Sequence, residues 1–339
     1  MKEIIIFCQA PADIQYALAI YDRNRNNTRI SIFCINVEGM YKFISSLNLN
    51  LKKLIFIPYV IDISIKKPVD IFTERNRIKR LFKEYFFEMT EDELYFFSNR
   101  YDWVLYSILV KLYKNNKIYL IDHYKYTSVK NIKENFSIKR VIIKLIYQFI
   151  TGVYMNSLLS NNKLILSFPI DKFDVKKLAT PQNIQKIRNK YQFNGLIKKR
   201  SVLIFESGIS DSEMIQNYEQ TIYKIIQIFI KHDFNIYIKP HPRLGFTKRL
   251  QNVGKLIPPH IPGEFLPISE FISVFGISSA VIGKLAMDNK NIYSIIDCFN
   301  FINISNKISY KKYLNEQSNN KIIFISNLKN LRDLLTSFQ

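Results

Sequence analysis

Glycine and proline are scarce in this chain, 9 and 11 of its 339 residues against 26 Phe and 21 Tyr, which excludes collagen-like and disordered low-complexity classes. Cysteine is scarcer still. Cys8, Cys34 and Cys298 lie far apart, and two of them sit inside apolar, strand-like runs. That pattern suits reduced core residues of a cytosolic protein, not a disulfide frame or a thiolate metal site. The histidines, His123, His232, His241 and His260, have no metal-ligand spacing, so no metal is expected. Long apolar runs are missing too. The opening run over residues 4–8 is too short for a signal peptide and reads as a first buried strand. The most apolar long window, 140–159, contains Lys144, Gln148, Thr151 and Asn156, whereas a spanning helix needs about 20 predominantly apolar residues. An interdomain or interfacial helix fits it better.

Acidic residues are in short supply: 28 Asp and Glu face 49 Lys and Arg, a formal charge of +21 that attracts polyanions. The basic residues are dispersed, and neither a zinc-finger spacing nor an RNA-binding signature accompanies them, which argues against nucleic acid as the partner. The densest patches are Lys66 and Lys67 with Arg75, Arg77, Lys79 and Arg80, and the run Lys198, Lys199, Arg200. Such patches either form a solvated face or touch anionic lipid, at about 1 kcal/mol per charge near the surface. The expected place is the cytoplasm, peripheral to the anionic inner membrane.

What is present is a regular alternation. Strand-like runs at 3–8, 29–36, 53–57, 102–106 and 117–121, and again at 163–167, 202–205, 235–238, 271–275, 291–295 and 321–325, are separated by helix-like segments such as 13–21 and 73–87. With 47% hydrophobic residues the chain can bury a sizeable core, and its length suggests two domains. Alternation of this kind predicts parallel, doubly wound α/β sheets. We place the domains at 1–155 and 156–339, joined near 136–160. The stretch 171–191, with Pro169 and Pro181 near it, reads as a mobile junction.

Two loops carry the chemistry. Residues 206–214 follow the strand at 202–205, residues 239–243 follow the strand at 235–238, and an amphipathic helix of about 20 residues is expected between them. A β-α-β unit makes these strands parallel, so both loops emerge at the carboxyl edge, where open α/β sheets bind ligands. Asp211 and His241 then face one crevice. Pro240 and Pro242 fix the backbone on either side of His241, and Lys239 and Arg243 flank it, which suits a phosphate; a histidine merely satisfying a turn is the alternative. Asp211, opening a helix within Ser210-Asp-Ser-Glu213, is either a cap or a base able to deprotonate a hydroxyl, with Glu206 and Glu213 as rival carboxylates. A third loop, Gly276-Ile-Ser278-Ser279-Ala280, follows the strand at 271–275 and opens a helix, a place for an anion or for a simple cap.

The order Gly208-Ile-Ser-Asp211-Ser-Glu-Met214, Pro240-His-Pro-Arg243, Glu264, then Ser278-Ser279 resembles the bacterial sialyltransferases of glycosyltransferase family 52, which build lipooligosaccharide and capsule. The resemblance covers 202–284 and is only general in the first half. It implies a GT-B fold of two Rossmann-like domains facing a central cleft, CMP-sialic acid as donor, a glycan or glycolipid acceptor, and neither metal nor cofactor. Carried over, Asp211 is the base and His241 meets the departing CMP phosphate. Ser278 and Ser279 hold that phosphate, and Glu264 reads nucleotide hydroxyls. Gly208, Lys239, Pro242 and Arg243 complete the donor side. Where many relatives carry an acidic-acidic-Gly motif, this chain has Leu120-Ile-Asp122-His123-Tyr124, so Asp122 and His123 are acceptor-side candidates. Another CMP-sugar enzyme, a Kdo transferase or a polysialyltransferase-like protein, fits the same motifs. A basic nucleic-acid-binding protein and an inactive scaffold are the alternatives of another class. A homodimer is compatible with all of these.

Overall fold

In the computed structural model the described residues are 3–58, 68–86, 92–97, 112, 115–121, 146, 149–150, 175–178, 182–206, 214–241, 247, 250, 252–289 and 291–338. The chain divides into two compact units, Met1–Ile187 and Arg188–Gln339.

The first unit is built on a parallel sheet of β1 (Glu3–Cys8), β2 (Arg29–Ile35), β3 (Lys53–Ile57), β4 (Glu93–Phe97), β5 (Lys117–Ile121) and β6 (Val175–Leu178), in the order β3-β2-β1-β4-β5-β6. β1 is buried along its whole length, as an apolar central strand of a covered parallel sheet should be. Phe7 anchors its core, with its ring stacked on Phe96 at 4.6 Å and tilted against Phe33 at 5.2 Å. Burial pushes the Cys34 thiol up to about 12 and the Cys8 thiol up as well, so both are inert core residues, in keeping with their apolar context in the sequence. Helices α1 (Ile14–Asn24), α2 (Glu38–Ser46) and α3 (Pro68–Tyr85) belong to this unit, and α4 (Ile184–Lys190) straddles the boundary.

The second unit repeats the plan. Its sheet, β12-β11-β10-β7-β8-β9, is formed by β7 (Ser201–Phe205), β8 (Asn235–Lys239), β9 (Lys255–Leu256), β10 (Ser273–Gly276), β11 (Ile292–Ser294) and β12 (Ile323–Phe324), every neighbouring pair parallel. Helices α5 (Tyr218–Lys231), α6 (Ala280–Asp288), α7 (Ile304–Ser318) and α8 (Leu328–Thr336) complete it. α5 buries Ile222, Ile225, Ile226 and Phe229, the spacing of one helical face. After it Asp233 takes a left-handed φ of 59° and turns the chain into β8. In both sheets the strand that begins the unit lies in the middle, and the order reverses there: between β1 and β4, and between β7 and β10. These are topological switch points, the ligand-binding crevices of doubly wound sheets.

Several expected elements move. β4 lies at 93–97; the expected strand at 102–106, that at 163–167 and the joining segment 136–160 lie wholly or almost wholly outside the described residues. The stretch expected as a mobile junction contains β6 and α4; β6 pairs with β5 in the first sheet and the first unit runs to Ile187, whereas the sequence reading began the second domain at 156. Two lysines in Val-Lys-Lys-Leu disguise β6, and lysine is a common guard on an edge strand. α5 has 14 residues, fewer than expected: Ile215 forms an antiparallel bridge with Phe301, and Gln216 and Asn217 make a turn before the helix begins at Tyr218. No described helix is long and apolar enough to cross a membrane.

Candidate functional site

The parallel pairing puts Gly276, Phe205 and Lys239 side by side as register partners at the ends of β10, β7 and β8. The loops beginning at Ile277, Glu206 and Pro240 therefore leave one edge of one sheet, as the β-α-β reading requires. The switch point falls between the first two of them.

Lys239 is buried at 3% exposure, an unusual place for a cation. Its ammonium donates to the carbonyl oxygens of Pro240 (2.8 Å) and Pro259 (3.1 Å), tying the Pro-His-Pro loop to the turn before Glu264. Desolvation lowers its pKa to about 8, and the charge of Glu264 opposes that fall. Lys239 is thus a loop fastener whose ammonium is engaged by the backbone, and His241, half-buried, stands two residues beyond it.

Glu264 lies in a short 3-10 turn, Gly263–Phe265, and is 8% exposed. Its Oε2 is buried with no hydrogen-bond partner. Leaving a buried carboxylate oxygen unmatched costs stability, so such an atom needs an explanation, and a ligand hydroxyl is one. Gly263 explains how the turn reaches this place. A Cβ there would stand 2.7 Å from Phe205 Cε1 and 2.8 Å from Val281 Cγ1, so only glycine seats the turn against both the end of β7 and the first turn of α6.

At the third loop Ser279 caps α6, its Oγ accepting from the Val281 amide at 3.4 Å. Its hydroxyl hydrogen is not used by that bond, and the start of the helix carries partial positive charge. The backbone below is held by Ser294, buried completely, whose hydroxyl donates to the Ile277 carbonyl at 2.8 Å. Ser278 is partly exposed beside it.

Glu206 has a structural partner. Its Oε1 accepts from the Thr247 amide at 2.7 Å and from the Thr247 hydroxyl, which fastens the chain beyond the Pro-His-Pro loop to the end of β7. Gly208, Asp211, Glu213, Pro242 and Arg243 lie outside the described residues, as do Asp122 and His123 on the other unit. Among the expected residues the structure therefore brings Lys239, His241, Glu264, Ser278 and Ser279 to one sheet edge. Sequence reasoning missed Gly263, Pro259, Thr247 and Ser294. Only Gly263, a rare glycine directly before the acid, offered a signal. Among the described residues no group of His, Cys, Asp and Glu is placed to hold a metal ion.

No protein-family model matches the sequence, and no curated protein is significantly similar to it. Solved structures are similar in fold. The MnaA protein of S. aureus, solved with UDP, is 10% identical, aligning 100% of this chain with 88% of that one at a TM-score of 0.50. The UDP-GlcNAc 2-epimerase of Methanocaldococcus jannaschii is 13% identical over 99% of this chain and 92% of that one, at 0.49. A glycotransferase of kitacinnamycin is 9% identical over 99% and 90%, at 0.49. The fold is of the GT-B class: two Rossmann-like, doubly wound units. The expected fold class is met in this respect.

Proposed function

We propose that this chain is an inverting glycosyltransferase that moves sialic acid from CMP-sialic acid to a terminal sugar, galactose, of a lipooligosaccharide or capsule. The observation that carries the reading is the unmatched, buried carboxylate oxygen of Glu264 at the carboxyl edge of the second sheet. A carboxylate so placed accepts hydrogen bonds from a ribose, and the unused Ser279 hydroxyl hydrogen at the start of α6 faces the needs of a phosphate. The fold supports a nucleotide-bearing substrate, since MnaA was solved with UDP. The choice of CMP-sialic acid rests on the resemblance of the Pro240-His-Pro-Arg243 and Ser278-Ser279 motifs to the family 52 enzymes.

In this mechanism Asp211 takes the proton of the acceptor hydroxyl. The oxygen attacks the anomeric carbon of sialic acid from one face, the bond to the CMP phosphate oxygen breaks on the other, and configuration inverts. Charge develops on the leaving phosphate, where His241 donates a proton or hydrogen bond and Ser278 and Ser279 hold the oxygens. Each such donor lowers the barrier by about 3 kcal/mol. Asp122 and His123 are assigned to the acceptor side. The acceptor lipid is taken to lie at the cytoplasmic face of the inner membrane.

The test is CMP release from CMP-sialic acid with and without a galactose-terminated acceptor, in the presence of EDTA. Acceptor-dependent release with an inverted product is expected. Release from CMP-Kdo alone would reassign the donor, and interconversion of UDP-GlcNAc without any acceptor would move the chain to the epimerases. Inactivity toward all of them, with a steep salt-dependent affinity for RNA or DNA, would overturn the reading.

A further inference from the structure

The basic run at 75–80 is not absorbed by the site on the second unit. It lies on α3, and the helix divides it. Arg77 and Arg80, one helical turn apart, line a cavity of about 510 Å³ between α3 and the carboxyl end of β3, whereas Arg75 and Lys79 do not. The size is that of a small-molecule site, about 300–1,000 Å³. Opposite the helix, Ile57 ends β3 and the exposed Pro58 follows it, while Leu81, on the core face of α3 itself, is buried beside Arg80. Tyr85 closes one end, where its hydroxyl is hydrogen-bonded to Glu84, the acid of the lining. Two guanidinium groups over an aliphatic floor have a definite complement. Each guanidinium can grip an oxyanion bidentately, and Pro58, the exposed part of the floor, gains from being covered by an apolar body. The cavity also lies at the carboxyl edge of its sheet, the edge at which open α/β sheets bind ligands.

The geometry points to a binding site for a phosphate monoester joined to an apolar body, its phosphoryl oxygens on Arg77 and Arg80 and its apolar part on Ile57, Pro58 and Leu81. The chemistry is common to a lipid headgroup and to a soluble phosphorylated amphiphile. The site is independent of the donor assignment in the second unit.

Dihexanoyl phosphatidic acid below its micelle concentration is the probe, titrated calorimetrically into the full chain, with inorganic phosphate in parallel and a sedimentation arm using phosphatidylcholine vesicles with and without phosphatidic acid. The monomeric probe should bind more tightly than inorganic phosphate, and Arg77→Ala and Arg80→Ala should each weaken it about tenfold or more. Arg75→Ala and Lys79→Ala, on the same run but outside the cavity, should change it by less than about twofold. All four side chains are exposed, so the melting temperature should shift only slightly. Vesicle binding lost in the Arg77 and Arg80 variants identifies a lipid source, and vesicle indifference with retained monomer binding identifies a soluble one. Equal losses in all four variants would reduce the effect to bulk charge and overturn the proposal. So would absence of binding, or no preference for the acyl-bearing probe over phosphate.

Discussion

Glu264 opposes the desolvation of Lys239. Burial drives the pKa of the lysine down to about 8 from 10.5, and the carboxylate pulls it back, while the ammonium holds the carbonyls of Pro240 and Pro259. The pair joins the Pro-His-Pro loop to the turn that carries the unmatched carboxylate oxygen, so one buried cation fixes both parts of the proposed donor site.

A pH dependence follows from that pair. Because the folded pKa of Lys239 lies below the unfolded one, the folded chain gives up a proton between pH 8 and 10.5 that the unfolded chain retains. Stability contributed by this group therefore rises with pH in that window, by at most about 1.4 kcal/mol per pH unit, and is flat below pH 8. The difference in unfolding free energy between wild type and Lys239→Met, followed by urea titration from pH 7 to 10.5, should show this rise. A difference independent of pH would mean that Lys239 titrates normally.

Glu264→Gln removes the charge that supports Lys239 and replaces the charged acceptor offered to a nucleotide ribose with a neutral amide, which accepts more weakly. Calorimetric affinity for CMP should fall about tenfold or more. Melting at pH 7 should drop as well, and the drop should shrink at pH 9.5, where Lys239 is largely neutral. Unchanged CMP affinity would remove Glu264 from the donor site.

Gly263→Ala places a methyl group against Phe205 and Val281 at 2.7 and 2.8 Å. Overpacking of this kind costs about 1–3 kcal/mol. Since the same turn positions Glu264, CMP affinity should fall together with the melting temperature, whereas a loss of stability alone would show that the turn relaxes without moving the carboxylate.

Glu206→Ala frees Thr247 and should lower stability by about 2 kcal/mol, the range of hydrogen bonds to a charged group. Thr247→Ala should reproduce part of that loss and part of any loss in activity. If Thr247→Ala is silent while Glu206→Ala abolishes transfer at normal stability, Glu206 is the base in place of Asp211.

His241→Ala and Asp211→Asn should each lower turnover by about 10²–10⁴-fold. Circular dichroism spectra should not change. They should differ in binding: Asp211→Asn keeps CMP affinity and His241→Ala weakens it, which separates a base from a phosphate contact.

The sequence by itself determined the periodicities. Buried parallel strands are apolar along their length, so 3–8, 202–205 and 235–238 declared themselves, and two strands joined by one helix can only run parallel, which put the loops after Phe205 and Lys239 on one edge. The small residues after Gly276 likewise announced a helix start, which Ser279 caps. Local pattern does not report which partners meet across the fold. That Lys239 spends its ammonium on Pro259, that Glu206 is taken by Thr247, and that Arg77 and Arg80 turn toward β3 while Arg75 and Lys79 do not, each depend on how distant segments pack. The tertiary structure also decided that the lysine-rich stretch at 175–178 is an edge strand. Hydrogen bonds to β5 outweigh its polar composition there, because an edge strand need bury only part of its surface.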